Sequence, residues 1–151
     1  MRMRTIPTRV IIAGRRSAQA GRNAVAGYAY GLDTGADNAY QYADLFAPGA
    51  VLFGTSGREN IANLARREPH GPQYVRHFLT NVLIEPSREG ATGKQYLAVI
   101  DIGEGGMPSS IFLVGRYEDV YVKTPQGWRF KSRNLVRARS ASQPAQTEPS
   151  R

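Results

Sequence analysis

The sequence predicts an α+β fold, a curved and mostly antiparallel sheet with N-terminal helices packed on one face and a pocket between them. Two patterns carry this. Apolar residues at helical spacing are confined to the first half of the chain. Four long segments of alternating apolar and polar residues, separated by turn signals, fill the second half. Size bounds the answer: 151 residues, 41% hydrophobic, suffice for one packed core. No stretch supplies the roughly 20 apolar residues of a membrane span.

A basic leader covers residues 1–19, either loose or helical, and its acid-free, arginine-rich composition is also that of an organelle transit peptide. Val10–Ala13 is too short for the core of a secretory signal. The folded domain covers 20–139. Ala20, Ala24, Val25, Tyr28 and Ala29 place a first helix over about 15–33, with Gly31 and Gly35 near its end. A second helix is expected over 36–46, stopped by Pro48-Gly49. Val51-Leu52-Phe53 reads as a short strand. Ser56-Gly57-Arg58-Glu59 fits a capping box that opens a third helix, with Ile61, Leu64 and Ala65 as its buried stripe.

The long strands follow over Tyr74–Glu85, Lys94–Ile102, Ile111–Lys123 and Trp128 to about Arg137. Gly103-Glu104-Gly105-Gly106 links the second to the third and lacks the lysine and the opening helix of a phosphate loop. Thr124-Pro125-Gln126-Gly127 is a type I turn by its proline and glycine positions. Residues 140–151 are a polar tail expected to be disordered.

The net charge of +8 sits at the ends. Residues 1–32 carry +6, residues 126–151 carry +5, and 33–125 carry −3. A nucleic-acid module places its basic stripe on the folded face, so this pattern argues against one. Cysteine is absent, which removes disulfides, thiol nucleophiles and cysteine-held metals. Two histidines are too few for a multi-histidine metal site.

His77 alternates with Leu79, Asn81 and Leu83, which places it on the core face of its strand. A histidine there suits proton transfer at neutral pH, or else is a satisfied structural residue. Asp33 ends the first helix, where the dipole disfavours a carboxylate, so it either orients a histidine or belongs to a helix-ending turn. Asp101 follows Leu97 and Val99 and points inward to a partner, unless the strand has reached its edge by then. Tyr28 and Tyr30 lie on different sides of the helix, so one at most donates into the pocket. Asn81 shares the His77 face. Arg133 and Arg137 share a face of the last strand, where one anchors an anionic or carbonyl group if they are not simply solvated. His70 lies in a proline–glycine loop.

Gly27-Tyr28-Ala29-Tyr30-Gly31-Leu32-Asp33-Thr34-Gly35, then Tyr42 to Ala50, Arg76-His77-Phe78-Leu79-Thr80-Asn81, Gly115-Arg116-Tyr117-Glu118-Asp119 and Gly127-Trp128-Arg129-Phe130 resemble SnoaL-like domains. These belong to the nuclear-transport-factor-2-like (NTF2-like) superfamily, and the resemblance spans about 20–138. It implies a cone-shaped α+β fold. The nearest functional likeness is to scytalone dehydratase and the bile-acid dehydratases. It implies Asp33 and His77 as the catalytic pair, with Tyr28, Asp101 and Arg137 around the substrate; the late arginine corresponds to Arg133 or Arg137. Where scytalone dehydratase has tyrosines that hold its water, this chain carries Leu32 and Phe53. Lyases that release formaldehyde from aromatic diols are similar too.

The expectation is therefore a cytoplasmic, cofactor-independent lyase acting on a hydrophobic hydroxylated aromatic or polycyclic small molecule. His77 and Asp33 would be catalytic, Tyr28, Asp101, Asn81 and Arg137 substrate-binding. No metal, nucleic acid or membrane is expected, and the resemblance implies a homodimer or homotrimer. A ketosteroid-type isomerase and a non-catalytic ligand-binding or dimerisation module are the alternatives.

Overall fold

The computed structural model describes residues 8–66, 75–103 and 110–138. The expected tail, the His70 loop and most of the glycine-rich connection lie outside the described residues.

Helix α1 spans Thr8–Thr34 and so reaches well into the basic leader, beyond the start expected near 15. No proline interrupts the sequence over that span. Its buried face carries Ala24, Val25, Tyr28 and Leu32. Gly21 lets the helix approach the sheet closely, since a Cβ there would collide with the Ile84 side chain.

The second helix is shorter than expected, only Tyr40–Ala43 (α2). Asp37, Asn38 and Ala39 all take positive φ, at 52°, 52° and 66°. Asp and Asn tolerate this left-handed region, and three such residues in a row exclude a right-handed helix. Strand β1 (Phe46–Leu52) contains Pro48-Gly49 within a bulge instead of ending before it. Strand β2 (Thr55–Ser56) precedes α3 (Arg58–Arg66). The capping box does not form. Ser56 belongs to β2, and the Glu59 carboxylate accepts from the Tyr40 hydroxyl and the Arg66 guanidinium, each at 2.6 Å.

Strands β3 (Val75–Ser87), β4 (Gly90–Asp101), β5 (Ser110–Thr124) and β6 (Gly127–Arg137) form the expected antiparallel meander. Pro125 and Gln126 make the turn between β5 and β6. The sheet order is β2-β1-β6-β5-β4-β3. Its one parallel pairing, β1 with β6, was not foreseen.

α1 packs mainly on β3 and also touches β6 and β4, and α2 and α3 close the other end. Between helices and sheet sit Tyr28, Tyr42, Phe46, Tyr117, Tyr121 and Phe130, all buried. The helix-free face is partly apolar. Phe78, Ala98 and Val114 share one row across the strands, and Tyr96, Arg116 and Val136 the next. Among the described residues no helix is long and apolar enough to cross a membrane.

Candidate active site

A pocket of about 260 Å³ opens between α1 and the sheet, lined among others by Tyr28, Tyr117, His77, Leu113, Leu135 and Arg137. Leu32 and Phe53 line it too. The wall is mostly hydrocarbon, with a few polar groups aimed inward, as small-molecule sites are.

His77 reaches this pocket because the inward alternation of β3 holds through Leu79. Its side chain is 5% exposed and that of Asp33 10%. The carboxylate grips the histidine twice. Asp33 Oδ1 lies 2.6 Å from His77 Nδ1, and Oδ2 accepts the His77 backbone N–H at 3.0 Å. This contact explains an acid in the last turn of α1, where the helix dipole opposes it. A carboxylate on Nδ1 favours the tautomer with its proton there, which leaves Nε2 with its lone pair free of a proton. His77 also borders a second, more open groove of about 460 Å³ between α1 and β3, which Asp33 lines as well.

The other expected site residues divide. Tyr28 lines the pocket and is 1% exposed, whereas Tyr30 is 74% exposed and faces the outer groove. Arg137 lines the pocket at its solvent-exposed rim. Asn81 does not join the site. Thr80 pairs with Tyr96 and Leu83 with Lys94, so β3 carries one extra residue there, and Asn81 bulges at φ 54°. An extra residue reverses the phase of the alternation. Val82 and Ile84 turn inward, and Asn81 and Leu83 turn to solvent. Asp101 is half-buried at the end of β4, where its Oδ1 accepts the Gly103 N–H at 2.9 Å. It lines neither hollow beside His77.

Arg133 is not surface charge: it lies fully buried against Asp119, with bonds of 2.8 and 2.7 Å to the two carboxylate oxygens. Gln95 and the Tyr121 hydroxyl also donate to Asp119, at 2.6 and 2.8 Å. The guanidinium carbon stacks 4.0 Å from the Tyr28 ring centre and 4.2 Å from that of Tyr117. Burial alone would lower the arginine's pKa; Asp119 more than offsets this and holds it above its ordinary value. The sequence contained a signal for this pair. Tyr117, Asp119 and Tyr121 alternate on one face of β5, and Asp119 stands opposite Arg133 in the β5–β6 register.

Three hydroxyls meet at the pocket wall. Tyr28 and Tyr117 share a hydrogen bond of 3.3 Å, and the Tyr42 hydroxyl donates to Tyr28 at 3.4 Å. Burial pushes the Tyr42 and Tyr117 hydroxyls well above tyrosine's ordinary range, the neighbouring Tyr28 adds to this, and Arg133 opposes it. They remain protonated donors at neutral pH. Among the described residues no group of three or more His, Cys, Asp or Glu is placed to hold a metal ion.

The chain resembles known proteins in sequence and in fold. The model of the SnoaL-like domain family matches residues 17–134. An NTF2-like protein with a cystatin-like fold from Novosphingobium aromaticivorans superposes with a TM-score of 0.70 at 21% identity, covering 83% of this chain and 84% of that one. A candidate scytalone dehydratase from the same organism superposes with a TM-score of 0.62 at 24% identity, covering 85% and 88%. The small subunit of anthranilate 1,2-dioxygenase from Burkholderia cepacia is 26% identical over 99 residues, which are 62% of this chain and 60% of that subunit's length.

Proposed function

Because the chain belongs to the SnoaL-like domain family and has its NTF2-like cone fold, we propose that it is a lyase acting on a hydroxylated aromatic small molecule without a cofactor. One observation carries this: a buried imidazole, gripped on Nδ1 by a carboxylate, in the lining of an apolar pocket. In a dehydration, Nε2 takes the proton from the carbon beside a carbinol. The C–H electron pair becomes the new double bond, the C–O bond breaks, and the imidazolium returns its proton to the leaving oxygen, releasing water. In the formaldehyde-releasing variant, Nε2 takes the carbinol O–H proton. The C–C bond then breaks, and the ring-side carbon receives the proton. Asp33 offsets the charge on the imidazolium in both.

The test is turnover of a panel of one- and two-ring hydroxylated aromatics, read by product mass. Loss of one water or one formaldehyde is the expected result, and His77→Ala should turn over roughly 100- to 10,000-fold more slowly. Products of unchanged mass would instead support an isomerase, and undiminished turnover by His77→Ala would remove His77 from the mechanism.

The likeness to a dioxygenase small subunit supports a second reading, a non-catalytic module that assembles with a larger chain. Under it no substrate turns over at all. The apolar rows of the helix-free sheet face support association into a homodimer or homotrimer, which sedimentation distinguishes.

A further inference from the structure

Each tyrosine hydroxyl of the wall cluster carries one proton to donate. Tyr42 gives its proton to Tyr28, and Tyr28 and Tyr117 share one bond in which either is the donor. Three donors thus meet two bonds. Whichever way the shared bond runs, one proton, on Tyr28 or on Tyr117, finds no acceptor among the described residues. Both residues line the pocket. A buried donor left unsatisfied is costly, so a wall built this way suits an oxygen presented from inside the pocket.

The charge behind the wall says which kind of oxygen. The Arg133 guanidinium lies against the Tyr28 and Tyr117 rings, and fully buried. Asp119 neutralises it in total charge and opposes it at Tyr117, but the cation's effect there is the larger of the two, and the cation lies against both rings. Cations on a ring face make its hydroxyl a stronger donor. Arg137 adds a second cation at the rim. Size narrows the ligand further. A space of about 260 Å³ equals the liquid share of roughly nine waters, which suits one ring or two and not a larger polycycle.

We infer that the Tyr28–Tyr117 hydroxyl pair, with Tyr42 donating into it and Arg133 stacked behind it, is the pocket's oxygen-binding site, and that it prefers a phenolate or enolate oxygen on a one- or two-ring aromatic. Tyr117 is then a ligand-binding residue, and Tyr42 and Arg133 are positioning residues. This rests on the reading of the pocket as a small-molecule site and names the group it recognises.

A nitrophenol is the probe, because its phenolate absorbs visible light and its phenol form does not. Its methyl ether has the same ring without the ionisable group. Titrated with the full chain across pH, the bound nitrophenol should ionise about one pH unit lower than the free compound, a roughly tenfold preference for phenolate. The ether should bind without that pH dependence. Tyr117→Phe should abolish most of the shift, and Tyr42→Phe should reduce it. Far-ultraviolet circular dichroism checks that each variant folds, and Tyr28→Phe replaces Tyr117→Phe if the latter does not. An unshifted bound probe, a shift indifferent to these tyrosines, or no binding at millimolar concentration would overturn the inference. A chain that shows the shift yet turns nothing over would defeat the lyase reading alone, and turnover without the shift would defeat only this one.

Discussion

Asp33→Asn keeps the size of the side chain and one acceptor oxygen while removing the charge. The native carboxylate satisfies two donors of the same residue, the His77 ring at 2.6 Å and its backbone N–H at 3.0 Å. An amide has one oxygen and one NH₂ group. The backbone N–H can only donate, so the amide oxygen must stay on it and the NH₂ must face the ring. Nδ1 then becomes the acceptor, and the ring proton moves to Nε2. The variant thus swaps the tautomer and blocks the lone pair that the proposed proton abstraction needs.

Two charge-assisted bonds become neutral ones, a loss of about 1 kcal/mol each, so about 2 kcal/mol of stability in all. Nitrogen NMR of the two histidines reads the tautomer directly, with His70→Gln assigning the His77 signals. Urea unfolding followed at Trp128, the only tryptophan, reads the stability. Turnover should fall roughly 100- to 10,000-fold. A ring that keeps its proton on Nδ1 in Asp33→Asn would refute the reasoning, because the carboxylate would not be what sets it.

Two further outcomes follow from the buried polar core. Arg133→Met should cost about 3–5 kcal/mol by stranding the Asp119 carboxylate, and the double variant Arg133→Met, Asp119→Leu should recover part of that. Urea unfolding of the full mutant cycle checks this, and a double variant as unstable as the sum of the singles would contradict it. Burial, the largest cause, raises Tyr42, Tyr117 and Tyr121 above tyrosine's ordinary range, so they keep their protons in the fold, whereas the unfolded chain ionises near pH 10. Their contribution is therefore complete below roughly pH 10 and is lost as the pH rises beyond it. Thermal unfolding from roughly pH 8 to 11, read beside phenolate absorbance, should show these three titrating only as the fold melts. Ionisation of all eight tyrosines with the fold intact would count against it.

Periodicity made the architecture legible. The four long strands carry a two-residue alternation, the helices come before them, and both patterns report burial directly. His77 was placed correctly by the same argument, and Asp33 by an acid standing where a helix disfavours one. Asn81 was misplaced because alternation assumes unbroken register, and a one-residue bulge leaves no mark in the composition of Thr80 to Leu83. The left-handed turn at Asp37–Ala39 was hidden by helix-compatible neighbours, since Ala39 alone gives no sign of positive φ. The Glu59 capping box failed because Tyr40 and Arg66, distant or later in the chain, compete for the carboxylate. Arg133 needed the partner strand: an arginine reads as surface until the residue opposite it is known to be an inward aspartate.

The order of the strands also sets the order in which the protein can be made. Among the described residues, β6 alone joins β1 and β2 to the rest of the sheet. A nascent polypeptide leaving the ribosome can pair β3, β4 and β5 as they emerge, yet β1 must wait, with Phe46 and Leu52 uncovered, for a strand synthesised some 80 residues later. The same late strand delivers the cation behind the tyrosine wall. The proposed oxygen-binding site and the final fold are therefore completed in a single closing step, and a message cut short before that strand yields neither.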